Sequence, residues 1–165
     1  MRAPLFKAIM RKQVDVLKTI IDTKADLNIK DDIGQSALLL AATSDCHCLQ
    51  LLVAAKADLE VKDKDGTTAL LWSAKNGKTE SVQLLLKANA NVDTKDRRNR
   101  TALMWAAEMG NTSCVQLLID ANADVDAKCN ERKTALTLTA EGGHTACAQL
   151  LIAAKANIEA QDGEG

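Results

Sequence analysis

The tripeptide Thr68-Ala69-Leu70 recurs 33 residues later as Thr101-Ala102-Leu103, and after the same interval again as Thr134-Ala135-Leu136. Ser36-Ala37-Leu38 is the same element one repeat earlier, displaced by a single residue. A fixed period of about 20 to 50 residues is typical of stacked supersecondary units. The chain is therefore predicted to be a repeat protein in which each unit buries its apolar side against its neighbours.

Each period carries the signals of a turn followed by two short helices. In the third period, residues 63–67 include Asp and Gly, which favour tight turns. Thr68 is suited to cap a helix over 69–76, and Gly77 is suited to end it. Apolar spacing predicts a second helix over 80–88. The predicted fold is an all-α solenoid of helix-turn-helix units joined by β-hairpin-like loops.

The chain of 165 residues has the length of one domain. The period divides it into a partial unit over 1–30, full units over 31–62, 63–95, 96–128 and 129–161, and the start of a further unit at 162–165.

Composition argues against several classes of protein. The net charge of −1 gives no global attraction to nucleic acid or to an acidic membrane. The sequence shows neither a secretory signal nor a run of 18 apolar residues, so no membrane partner is expected. Five cysteines cannot all pair, which favours a reducing compartment. A cytoplasmic or nuclear location is the resulting expectation.

The repeated motifs identify a family resemblance over essentially the whole chain. Besides Thr/Ser-Ala-Leu, these motifs are Gln-Leu-Leu at Gln50, Gln83, Gln116 and Gln149, and Ala-Asp/Asn at Ala25, Ala57, Ala90, Ala123 and Ala156. In register, they resemble the ankyrin repeat. The resemblance implies a non-catalytic protein-interaction module that binds through its hairpin tips and the concave face of its first helices.

Two departures from the family pattern bear on stability. The glycine that usually follows the second helix is replaced by Lys24, Lys56, Asn89, Asn122 and Lys155, and a lysine there is strained if the backbone is left-handed. The family histidine near the start of the first helix is replaced by Leu39, Leu71, Met104 and Thr137. Apolar packing is expected to stand in for its hydrogen bonds between units, at some cost in stability.

Candidate reactive groups are better explained by the repeat than by chemistry. Cys46-His47-Cys48 has too few further ligands nearby in sequence for a zinc site. Cys48 shares a repeat position with two other cysteines, which indicates packing, whereas Cys46 and Cys129 are expected to be exposed thiols. His144 occupies an inter-helix turn. No catalytic, cofactor or metal residues are predicted, and the protein is not expected to be an enzyme.

The predicted partner-binding residues lie at hairpin tips and on first helices, where the units differ. They are Ile33, Lys64, Asp65, Trp72, Lys75, Arg97, Arg98, Arg100, Trp105, Glu108, Met109, Glu131, Lys133 and Glu141. A basic strip of Arg97, Arg98, Arg100, Arg132 and Lys133 predicts a partner with acidic residues on one edge and apolar contact near Trp105 and Met109. Both tryptophans can equally be core residues or groove residues.

Three functions are compatible with the sequence. The leading hypothesis is binding of another protein by a monomer. The alternative is a structural spacer within a longer ankyrin array that has no dedicated ligand. Nucleic-acid binding through the arginine strip is the least favoured, because no exposed aromatic platform accompanies it.

Overall fold

A computed structural model describes residues 4–163, so Glu164 and Gly165 of the predicted further unit lie outside the described residues. Within that range the chain forms ten helices and no strand. In order they are α1 (Pro4–Met10), α2 (Val14–Asp22), α3 (Ala37–Ser44), α4 (Cys46–Ala54), α5 (Ala69–Lys75), α6 (Thr79–Lys87), α7 (Ala102–Glu108), α8 (Thr112–Asp120), α9 (Ala135–Gly142) and α10 (Thr145–Ala153). The helices predicted for the third unit are confirmed to within one residue at each end.

The helices stack in two layers. The first helix of each unit contacts the first helix of the next, which gives an inner row of α1, α3, α5, α7 and α9. The second helices form the outer row α2, α4, α6, α8 and α10. The two helices of each unit also contact each other, and each unit packs on the next, so the predicted helical-repeat solenoid is confirmed.

Each hairpin is closed by its leading aspartate where one is present. The Asp63 Oδ1 atom accepts hydrogen bonds from the backbone N–H groups of Asp65 at 2.9 Å and Thr67 at 2.8 Å. Asp31 and Asp96 make the same pair of bonds in their own units. A hydroxyl cap then starts the first helix, as the sequence predicts.

Each second helix is followed by a residue with left-handed backbone, at the position where the family pattern has glycine. The φ angle is 59° at Lys56, and 57° to 65° at the equivalent positions in the other units. The Ala57 N–H bonds to the Leu52 carbonyl and the Lys56 N–H bonds to the Val53 carbonyl, which is the Schellman pattern. Ala57 and Leu52 are both buried, so the apolar contact that accompanies this motif is present as well.

Adjacent units are tied by hydrogen bonds at the far end of the first helices. The Asn111 side chain donates to the carbonyls of Ala74 and Lys75, at 2.9 and 3.0 Å. The His144 Nε2 atom lies 2.9 Å from the Glu108 carbonyl oxygen. The family histidine position, by contrast, carries buried apolar side chains at Leu39, Leu71 and Met104. The first helices of these units are therefore tied by hydrogen bonds at their ends, whereas apolar packing takes the place of the family histidine near their starts.

The core runs through the stack without interruption. Leu70 and Leu103 are buried at matching positions, whereas Leu136 is half-buried because, among residues 4–163, α9 has a first helix on only one side. The five cysteines are unpaired. Cys46 is exposed as expected, but the expectation for Cys129 is wrong, because this first residue of the fifth hairpin is buried.

Candidate functional site

A groove of about 270 Å³ opens between the hairpins of the third and fourth units. It is lined by Asp65, Thr67, Lys75, Asp96, Arg97, Arg98 and Trp105. The two hairpins are joined by a hydrogen bond of 3.1 Å from the Arg97 N–H to the Asp65 carbonyl, which fixes the spacing of the walls. We call this space the tip groove. It brings together five of the residues predicted from sequence.

Trp105 forms the floor of the tip groove and is held from several sides. Its Nε1 donates to the Asp96 Oδ2 at 3.0 Å. The Lys75 ammonium lies 4.1 Å from the centre of the indole, and the Arg100 guanidinium carbon lies 4.6 Å from it. Cations near the electron-rich face of an indole are attracted to it. The half-buried ring is therefore both packed and available to the groove.

Arg100 departs from the exposed basic strip expected from sequence. Its side chain is only 8 % exposed, and its Nη1 lies 2.6 Å from the Glu108 Oε2. Its Nη2 lies 4.0 Å from Glu131. A cation in this position is neutralised within the protein, so Arg100 does not present a free positive charge.

Lys133 is compensated in the same way. Its Nζ lies 2.8 Å from Glu141 and 3.5 Å from Glu131. The hydrogen bond with Glu141 is the main cause of the raised pKa of Lys133. Together with Arg100 and Glu108, these residues form a chain of alternating charges that we call the charge ladder. Of the predicted strip, Arg97, Arg98 and Arg132 are exposed.

The remaining predicted residues lie outside both groups. Ile33 and Met109 are exposed apolar side chains, at 52 % and 45 %. Lys64 is exposed and packs along Gly34 of the preceding hairpin. Trp72 is half-buried, as Trp105 is, but it does not line the tip groove. Their roles in binding a partner stay predictions.

Asp96, the first residue of the fourth hairpin, lines the tip groove but is not among the predicted partner-binding residues. Asp96 closes the fourth hairpin with Oδ1 and orients Trp105 with Oδ2. The same spacing of nine residues joins Asp63 to Trp72 one period earlier, and this recurrence is the sequence signal that could have indicated the contact.

A larger groove of about 470 Å³ lies on the outer helices. It is lined by Thr79, Gln83, Thr112, Ser113, Gln116, Leu117 and Leu150. Thr79 and Thr112, like Gln83 and Gln116, share a repeat position. The period itself accounts for this lining. In the tip groove only Asp96 and Trp105 recur in the third unit, as Asp63 and Trp72, and the other lining residues change between units, so the outer groove is weaker evidence for a specific site.

The chain matches a known protein family. A family model described as ankyrin repeats, in 3 copies, matches residues 5–96 and 90–162. No curated protein matches the chain. In residues 4–163, no helix has the length and apolar character needed to span a membrane.

Proposed function

Because this chain belongs to the ankyrin-repeat family, we propose that it is a non-catalytic module that binds a partner protein through its hairpin tips and the adjoining face of its first helices. Ankyrin repeats generally act as protein–protein interaction modules. A fold alone does not identify a function, so the proposal depends on the site.

The observation that carries the proposal is the tip groove. It is polar, partly open and floored by an indole, and tryptophan and arginine are enriched where protein interfaces concentrate their binding energy. Arg97 and Arg98 are exposed at its rim, while their backbones are held by the neighbouring hairpins. Because the backbone of this rim is already fixed, binding needs to order only the arginine side chains, at about 0.5–1.5 kcal/mol each.

The test is selection of binders from a display library of random 12-residue peptides, followed by affinity measurements on the recovered peptides. The variant Arg97→Glu/Arg98→Glu should lower the affinity for the recovered peptides by tenfold or more, because two rim charges are reversed. The control Lys78→Glu/Lys87→Glu reverses two exposed lysines at the two ends of α6, outside the tip groove, and should leave affinity unchanged. If no peptide is recovered, or if the control weakens binding equally, the proposal is wrong and a spacer role is favoured.

A further inference from the structure

The third unit breaks a charge pattern that the fourth and fifth units share. Arg100 pairs with Glu108, and one period later Lys133 pairs with Glu141. At the equivalent positions of the third unit stand Thr67 and Lys75. Thr67, which is neutral, takes the place of the cation, and Lys75 takes the place of the carboxylate. Lys75 therefore has no ion-pair partner at the position where the fourth and fifth units have one.

Nothing else in residues 4–163 replaces that partner. The Lys75 ammonium rests on the Trp105 ring and has no carboxylate oxygen within 4.0 Å. The exposed guanidinium groups of Arg97 and Arg98, which line the same groove, likewise make no ion pair in the described part of the chain. The tip groove therefore holds three cationic side chains without an anionic partner.

The carboxylates of the groove do not offset these cations equally. Asp96 is occupied, because Oδ1 accepts two backbone N–H groups and Oδ2 accepts the indole N–H. Asp65 is exposed and makes no side-chain ion pair with the described residues. The groove is thus lined by three cationic side chains against two carboxylates, of which only the Asp65 carboxylate has no side-chain partner within the range 4–163.

We infer that the tip groove takes the carboxylate of an aspartate or glutamate side chain from an acidic segment of the partner protein, held between Lys75 and the arginines of the fourth hairpin with its aliphatic stem against Trp105. This inference rests on the proposed function. Electrostatic complementarity selects the partner, since an opposite charge at this position is attracted and a like charge is repelled.

Two neighbouring features favour a single carboxylate over a polyanion. The charge ladder beside the groove contains three carboxylates and two cations, so a nucleic-acid strand that continued across it would meet net negative charge. Asp65 and Asp96 also face into the groove, and they repel a doubly charged phosphate more strongly than a singly charged carboxylate.

The repeat supplies the decisive variant. Thr67→Arg/Lys75→Glu installs in the third unit the residues that already pair as Arg100 and Glu108 in the fourth, so the fold is expected to tolerate it. Lys75→Gln removes the charge alone. The matched control Lys87→Gln removes an exposed lysine from α6, outside the groove.

The experiment uses peptides selected by the native chain, labelled with fluorescein and measured by anisotropy. The expected result is enrichment of Asp or Glu, and affinity about tenfold lower when that residue is changed to its amide or when Lys75→Gln is used. The double variant should abolish the preference for carboxylate over amide, and Lys87→Gln should bind as the native chain does.

The outcomes separate the two proposals. Peptides that bind with no dependence on an acidic residue, or that are unaffected by Lys75→Gln, would refute the inference while leaving a protein-binding function in place. Peptides that bind more tightly with phosphoserine in place of the acidic residue would refute the choice of a carboxylate. Recovery of no peptide at all would remove the proposed function and this inference with it.

Discussion

Replacing Lys56 with glycine is expected to stabilise the protein. Lys56 has a φ angle of 59° and follows α4 in the Schellman geometry. Its side chain is exposed and makes no hydrogen bond or ion pair with residues 4–163. The substitution therefore relieves the left-handed backbone without removing a side-chain contact.

The size of the effect follows from two opposing contributions. A side chain on a left-handed residue costs about 1–2 kcal/mol. Glycine also stabilises the unfolded chain by roughly 0.5–1 kcal/mol, because it has more conformational freedom there, and this offsets part of the gain. The free energy of unfolding should rise by about 0.5–1 kcal/mol, which corresponds to an increase in Tm of about 1–4 °C for a chain of this length.

The measurement is urea denaturation followed by circular dichroism, with the same chemical change at Lys87 as the control. Lys87 ends α6 in right-handed helical conformation, so Lys87→Gly should lower the free energy of unfolding by about 1 kcal/mol. Asn89→Gly should gain less than Lys56→Gly, because asparagine tolerates the left-handed region. A neutral or destabilising Lys56→Gly, or equal effects of the two lysine substitutions, would show that the backbone at residue 56 is not left-handed in solution.

Three further outcomes are expected. Gly110→Ala should lower Tm by several degrees more than Gly143→Ala: both have positive φ, but an added Cβ lies 2.6 Å from the next unit's imidazole at Gly110 and meets nothing within 4 Å at Gly143. Asp45→Ala should cost about 1 kcal/mol at pH 7. The pKa of Asp45 is lowered chiefly by the His47 backbone N–H, so this loss, measured by denaturation against pH, should shrink as the pH falls below the ordinary pKa of 3.8. In mass-spectrometric mapping of iodoacetamide labelling, Cys46 should react first because it is exposed, and its rate should still climb through pH 9.0 because partial desolvation raises its thiol pKa.

The layered fold was predictable because the capping residues, the helix period and the apolar stacking positions of each unit all indicate the same structure. Thr68, Thr101 and Thr134 mark helix starts, and in the structure their hydroxyls accept the N–H three residues on. The apolar residues recur at the spacing that the stacking needs. When local capping, helix period and stacking agree, a single sequence is enough to place the helices.

The environment of individual charges was not predictable by the same means. Arg97, Arg98 and Arg100 look alike in sequence, yet only Arg100 turns inward, where Trp105 and Glu108 receive it. That choice depends on which side of a hairpin a residue occupies and on the chain that packs beside it. The recurrence of a cation followed eight residues later by a glutamate, at 100 and 108 and again at 133 and 141, is a signal that could have revealed the pairing.

Internal repetition also separates structural residues from candidate functional ones. A side chain that recurs in register is accounted for by stacking, as in the outer groove with Thr79 and Thr112 or in the charge ladder. Thr67 and Lys75 recur in neither the fourth nor the fifth unit, although the backbone that carries them does. Since the scaffold tolerates a compensated ion pair at these positions, its stability does not require an uncompensated lysine beside Trp105. That lysine therefore calls for an explanation outside the repeat, and an anionic partner supplies one.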